Sequence, residues 1–169
     1  GTARRLDVPE AGNLPQAILR QARRNPAGLV LADADSAMSW RGFWLKATAM
    51  ALLLRRECAR EERVGLLLPA STAATLVWLA ALLAGKTPVM LNWTTGPANL
   101  RHCVRLAGLQ TILSAHRLLD RLADQGFDEM SDLGARLLCL EDAAKGLSLP
   151  LKVSALVRSR LALLGIESL

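Results

Sequence analysis

Tyrosine is absent from the 169 residues, phenylalanine occurs twice, and lysine appears only at Lys46, Lys86, Lys145 and Lys152. With no basic run interleaved with aromatic rings, the chain lacks the stacking platforms of a nucleic-acid binder, so nucleic acid is not an expected partner. Cysteine is scarce too. Cys58, Cys103 and Cys139 are odd in number and form no C-x-x-C, and the two histidines complete no zinc spacing. His102 and Cys103 are adjacent on an expected helix and point in different directions. No metal site is expected, and three free thiols fit a reducing compartment. No apolar leader segment opens the chain, because its first residues carry charge, proline and glycine.

What is present is apolar and cationic. Hydrophobic residues make up 51%, enough for a real core in one domain. The net charge is +6, and arginine supplies 21 − 4 = 17 of the basic residues. These lie in small groups (Arg20, Arg23 and Arg24; Arg55, Arg56, Arg60 and Arg63; Arg101 and Arg105) that suit solvated helix faces and last turns. An acidic macromolecular partner is the sharper reading of the same charge. Residues 64–85 hold no charge, but Pro69, Ser71 and Thr72 divide them into a strand, a turn and a helix rather than a membrane span. The expected location is cytoplasmic, with the inner face of the membrane an option for a longer parent protein.

Asn13 can cap a first helix with Pro15 in its first turn and Leu14, Ala17, Ile18 and Ala22 on its apolar stripe. Residues 29–32 read as a strand, and Ser39 caps a helix over 40–58 that places Phe43, Trp44, Ala47, Ala51 and Leu54 on one side. Strands are then expected at 64–68, 88–91, 111–113 and 136–139. Helices at 72–84, 98–107 and 116–123 separate them, with Gly85 and Gly108 as stops. Short apolar runs alternating with helices predict a doubly wound α/β fold, a mostly parallel sheet with helices on both faces. This layer is assigned to residues 1–140. Residues 141–169 read as a loop to Pro150 and then an amphipathic helix from Leu151 to Leu164, with Val153, Leu156, Val157, Leu161 and Leu164 on one face.

Most chemical motifs fail. Gly85-Lys86-Thr87 resembles the end of a phosphate loop, but Ala80 stands where the first glycine belongs and the tripeptide follows a helix, so it is a helix stop. G-x-G-x-x-G and G-x-S-x-G are absent. The pairs Asp33/Asp35 and Glu61/Glu62 fall in turns and are expected to be solvated. One loop has chemical promise: Asn92, Trp93, Thr94 and Thr95 follow what reads as a central strand, where open α/β sheets place ligands, and could edge a substrate pocket. Plain turn chemistry with Thr95 as a helix cap accounts for the same residues.

Four segments carry a resemblance to the adenylate-forming, AMP-binding enzymes. Met38-Ser-Trp-Arg-Gly-Phe43 resembles their L-T-Y-x-E-L opening, and Val64-Gly-Leu-Leu-Leu-Pro69 looks like their first buried strand. Leu82-Leu-Ala-Gly-Lys-Thr-Pro-Val-Met-Leu-Asn92 is similar to L-K-A-G-x-x-x-V-P-L-D/N. Residues 100–114, from Leu100 through Gly108 to Thr111-Ile-Leu-Ser114, resemble L-x-x-x-L-x-x-A-G-x-x-x-x-L-x-S. The stretch P-V-M-L-N-W-T-T-G-P-A-N-L-R looks most like bacterial acyl–acyl carrier protein synthetases and 2-acylglycerophosphoethanolamine acyltransferases.

The resemblance implies a parent enzyme that uses ATP and Mg to turn a fatty acid into an acyl-adenylate, then passes the acyl group to an acyl carrier protein or CoA thiol. It also implies that this chain, lacking the family's phosphate loop and its lysine, holds no catalytic residue and no cofactor of its own. A stand-alone, non-catalytic α/β binding or scaffold module is the alternative. If the chain is a fragment, the helix from Leu151 to Leu164 and one sheet edge lack cover, and self-association through that helix is expected.

Overall fold

The computed structural model describes residues 12–34, 36–124 and 133–166. The chain opens with α1 (Leu14–Arg24), capped by Asn13, whose side chain accepts from the Gln16 N–H. Its buried residues are Leu19 and Ala22, while Leu14 on the expected stripe is half exposed. β1 (Leu29–Ala32) and β2 (Ala37–Ser39) form an antiparallel ribbon. β2 is a strand the three-residue pattern was too short to reveal. Ser39 caps α2 (Trp40–Glu57), which buries Phe43, Trp44, Ala47, Met50, Ala51, Leu53 and Leu54.

A parallel sheet of four strands follows: β3 (Arg63–Leu66), β4 (Thr87–Met90), β5 (Thr111–Ser114) and β6 (Arg136–Cys139), in the order β4-β3-β5-β6. The connections are α3 (Thr72–Leu83), α4 (Pro97–Ala107) and α5 (His116–Asp124). Alternation along the strands divides the core in two. Val64, Leu66, Leu68 and Leu113 join the cluster built with α2 and α3. Leu67 and Ile112 join the cluster with Leu100 and Val104 of α4 and Leu118 and Leu122 of α5. Helices therefore flank both faces, as the doubly wound reading required.

The tail departs from expectation. Residues 141–150, read as a loop, contain α6 (Leu140–Lys145), whose first turn holds Glu141 and Asp142 against the positive end of the helix. Then α7 (Leu149–Leu164) packs on α1 and α2 and buries Ala155, Ser159 and Ala162. These small residues form one stripe, which lets the helix approach closely. Of the expected apolar face, Val153 (54%), Leu156 (44%), Val157 (50%) and Leu164 (72%) are exposed and Leu161 is intermediate, while Leu151 and Leu163 pack against the core. Among the described residues no helix is long and apolar enough to cross a membrane.

The three thiols are free and differ in access: Cys58 is buried, Cys139 intermediate and Cys103 exposed. Burial, then the Glu61 charge, pushes the Cys58 thiol up from its ordinary value. The folded state thus disfavours the thiolate. This contribution to stability is intact below the ordinary thiol pKa and falls as pH rises through it. With an alkylating reagent followed by mass spectrometry, Cys103 should label first and Cys139 second. Cys58 should react only at a rate set by unfolding, and labelling of Cys58 as fast as Cys103 would contradict the burial.

Candidate functional site

In an open α/β sheet, ligands bind beyond the carboxyl ends of the strands where the winding reverses. Here that point lies between β3 and β5. The buried Ser114 hydroxyl donates to the Leu67 carbonyl at 2.9 Å and ties the two strands together at the mouth of the crevice.

Both helix N-termini beside it are closed by carboxylates of the chain itself. The Thr72 N–H of α3 donates to Asp33 Oδ2 at 2.9 Å, and Ser71 Oγ accepts from the Ala74 N–H at 3.2 Å. Ser36 and Thr72 hydroxyls meet at 2.7 Å beneath them. On α5, the His116 N–H donates to Glu141 at 3.2 and 3.3 Å from its two oxygens, and His116 Nε2 lies 2.7 Å from Asp142 Oδ2. Helix N-termini attract anions, and here protein carboxylates already fill that role. The groups at this edge do not fit a triphosphate or its magnesium, and no step of phosphoryl chemistry is assigned to them. Asp33, expected to be solvated, is a helix cap, and Asp35 lies outside the described residues.

The fold assembles one donor set that sequence reading missed. His116, Cys139 and Glu141 each bring a ligand atom within 4.8 Å of the others. Such a set suits a borderline divalent ion such as zinc, provided Glu141 releases the N-terminus of α5. The residues are 139 − 116 = 23 apart from His to Cys, and the pairing of Ser114 with Cys139 across β5 and β6 brings them together. The available signal was that Cys139 ends one predicted strand and that Glu141 and His116 lie two and three residues past the ends of predicted strands. Burial, then Glu141, Asp142 and Asp120, pushes the Cys139 thiol up.

The Asn92 loop lies elsewhere. β4, which precedes it, is an edge strand of this four-stranded sheet rather than a central one, because the chain turns back over β3 to add β5 on the far side. Asn92 Oδ1 accepts from the Thr94 N–H at 3.0 Å and from the Thr94 hydroxyl at 2.8 Å. The Thr95 hydroxyl donates to the Asn92 carbonyl at 2.9 Å. Thr95 is therefore not the cap of α4; Gly96, at φ 88, occupies that position without a side-chain bond. Trp93 is half-buried against the cluster of Leu67, Leu91 and Leu100. The loop is thus self-satisfied, and Asn92, Thr94 and Thr95 stay exposed. Asn92→Ala should cost about 1 kcal/mol through loss of this turn, read as a lower midpoint in urea. An unchanged midpoint would show that the turn does not depend on it.

The other rejected motifs have structural roles. Lys86 Nζ donates to the Cys58 carbonyl at 2.6 Å and to the Glu61 carbonyl, so it pins the chain before β3 instead of facing an anion. Glu61 is not solvated: Oε1 accepts from the Thr111 hydroxyl at 2.8 Å, and Oε2 is buried with no partner among the described residues.

Comparison with known proteins adds three likenesses and one family. The model of the family AMP-binding enzyme matches residues 18–149. Among solved structures, a benzoate CoA ligase from Burkholderia xenovorans LB400 superposes with a TM-score of 0.65 at 18% identity, over 79% of this chain and 28% of that one. An artificially fused adenylation–PCP di-domain, NpsA-ThdA of Klebsiella oxytoca, gives 0.62 at 16% identity, over 79% and 24%. O-succinylbenzoate coenzyme A synthetase from Bacillus subtilis gives 0.63 at 15% identity, over 75% and 26%. The chain spans about a quarter of the length of these proteins.

Proposed function

Because the chain belongs to the AMP-binding enzyme family, we propose that it forms the first α/β subdomain of an ATP-dependent acyl-activating ligase and does not catalyse alone. The observation that carries this reading is the family match over residues 18–149, joined to a parallel sheet in the order β4-β3-β5-β6. In the parent protein a carboxylate attacks the α-phosphorus of ATP, with Mg present, to give an acyl-adenylate and pyrophosphate. A thiol then attacks the acyl carbon, forming a thioester as AMP leaves. In this reading the phosphate-holding groups come from the rest of the parent protein, and the carboxylates that close α3 and α5 suit this sheet edge to a scaffold against which the remaining parts are set.

For the substrate we propose a fatty acid, and for the acceptor an acyl carrier protein, with CoA as the other thiol. The support is the run from Pro88 to Arg101, which resembles the acyl-carrier branch. The basic surface also suits an acidic carrier. Asn92, Trp93, Thr94 and Thr95 are proposed as a pocket edge by virtue of their place beyond β4, with Asn92, Thr94 and Thr95 exposed and Trp93 half-buried beneath them. The test is ATP–pyrophosphate exchange by the protein expressed from its complete gene. Exchange dependent on a fatty acid, followed by acyl transfer to carrier protein, is expected. Exchange only with an aromatic acid would refute the fatty-acid assignment, and no exchange with any acid would refute the ligase.

We further propose self-association of the isolated chain through the outward apolar face of α7, carried by the exposure of Val153, Leu156, Val157 and Leu164. Replacing Val153 and Val157 by Lys and Leu156 by Glu should leave stability within about 0.5 kcal/mol, as for surface sites, and convert oligomer to monomer in sedimentation. A wild-type chain that is already monomeric would end this idea.

A further inference from the structure

A cavity of about 340 Å³ lies between the start of α1, the middle of α2, the end of α3 and α7. Trp44, Ala51, Leu82 and Ala162 give it an apolar lining, and Arg55 and Arg158 stand in its wall. Among the described residues no Asp or Glu contributes to it. It is separate from the crevice and from the Asn92 loop: it includes Gly85, just before β4 begins, whereas Asn92 comes after β4 ends.

Three observations bear on what it holds. Arg158 is exposed at the rim of this space and makes no hydrogen bond or ion pair among the described residues, so its guanidinium is available at the mouth. Arg55 donates one bond, from Nη2 to the Leu83 carbonyl at 2.7 Å, which fixes its head at the carboxyl end of α3 and leaves its other N–H groups uncommitted. Trp44 is 1% exposed, and its indole N–H has no partner among the described residues. A small cavity with an apolar floor and a few convergent polar groups matches the ordinary make-up of ligand sites, which start at about 300 Å³.

We propose that this cavity binds a small amphiphile: a single anionic head, carboxylate or phosphate, between Arg55 and Arg158, with a short apolar tail against Trp44, Ala51 and Ala162. The guanidinium forks supply charge-assisted bonds to the head. The inference does not rest on the ligase reading, since the cavity is lined by α1, α2, the end of α3 and α7 and shares no residue with the crevice beyond β3 and β5.

The test titrates the 169-residue chain with decanoate, decyl phosphate and 1-decanol, by calorimetry and by tryptophan fluorescence. Saturable binding of at least one anion, about tenfold or more tighter than decanol, is expected from the worth of a hydrogen bond to a charged group. The better anion identifies the head. Arg158→Ala should weaken that anion about tenfold and leave decanol unchanged, and Arg158→Lys should restore part of the loss. Ala162→Leu should block all three by filling the cavity, and Trp44→Phe should remove the fluorescence change while binding heat persists. Equal affinity for decanol and both anions, or no response to Arg158→Ala, would overturn the proposal. So would the absence of saturable binding by either anion. Loss of ATP–pyrophosphate exchange in the full-length enzyme would not affect this result, so the two readings fail independently.

Discussion

Trp44→Ala will destabilise the chain by about 3–5 kcal/mol, the cost of emptying a large aromatic site that cannot collapse. Trp44 is 1% exposed and belongs to the cluster that joins α2 and α3 to Val64, Leu66 and Leu113 of the sheet. It also lies on the wall of the α2–α7 cavity, so truncation enlarges an existing space rather than one the neighbours can fill. Trp44→Phe separates packing from polarity. The indole N–H is buried without a partner among the described residues, and an unmatched buried donor costs about 1–3 kcal/mol. Removing it offsets much of the lost ring area, so Trp44→Phe should fall within about 1 kcal/mol of wild type. Urea unfolding with an unchanged slope checks both variants. A phenylalanine variant as unstable as the alanine one would show that the N–H is satisfied and that the indole is needed as such.

Gly65→Val carries the second large effect, for the opposite reason. Gly65 sits on β3 between β4 and β5, paired with Val89 and Ile112. A Cβ at this position would lie 3.0 Å from Ile112 Cγ1, 3.0 Å from Leu109 Cδ1 and 3.1 Å from Leu91 Cδ1. Three side chains converge on the place where a side chain would start. Gly65→Ala requires each to give by a few tenths of an ångström, and valine adds two further carbons in the same space. Overpacking of this kind costs about 1–3 kcal/mol, with valine at the upper end and alanine at the lower. The restraint is steric and not conformational, because Gly65 is in extended backbone within a regular ladder. A valine variant with a wild-type midpoint would mean that Leu91 and Leu109 move aside freely.

Much of the fold was legible because its signals are local. Asn13, Ser39 and Ser71 accept the hydrogen bonds expected of helix caps, and Gly108 takes the left-handed φ of 62 that ends α4. The apolar run at residues 136–139 is β6, and alternation along 64–68 sorts side chains to the two faces of the sheet. What escaped depends on groups distant in sequence. Nothing near Asp33 announces that its carboxylate will cap a helix beginning at Thr72, and nothing near Glu61 announces the Thr111 hydroxyl. The face α7 would bury was also hidden. Periodicity marks Val153, Leu156, Val157, Leu161 and Leu164, yet close approach to α2 selects Ala155, Ser159 and Ala162, with Leu161 only partly buried. The candidate loop was found by its position after a strand, but strand order decided that this strand stands at an edge.

That edge carries its own safeguard. The N–H groups of Thr87 and Leu91 point inward, donating to the carbonyls of Glu62 and Leu66 on the β3 side. By alternation, residues 88 and 90 face away from the sheet. Residue 88 is proline and has no hydrogen to give, so a passing strand would find a donor only at Met90 along the four residues of β4. Sheet-to-sheet stacking into ordered fibrils is discouraged at this rim by one missing proton. Pairing of two copies along this rim is thereby disfavoured, and the proposed contact through the outer face of α7 would use side chains instead of a ladder of backbone bonds.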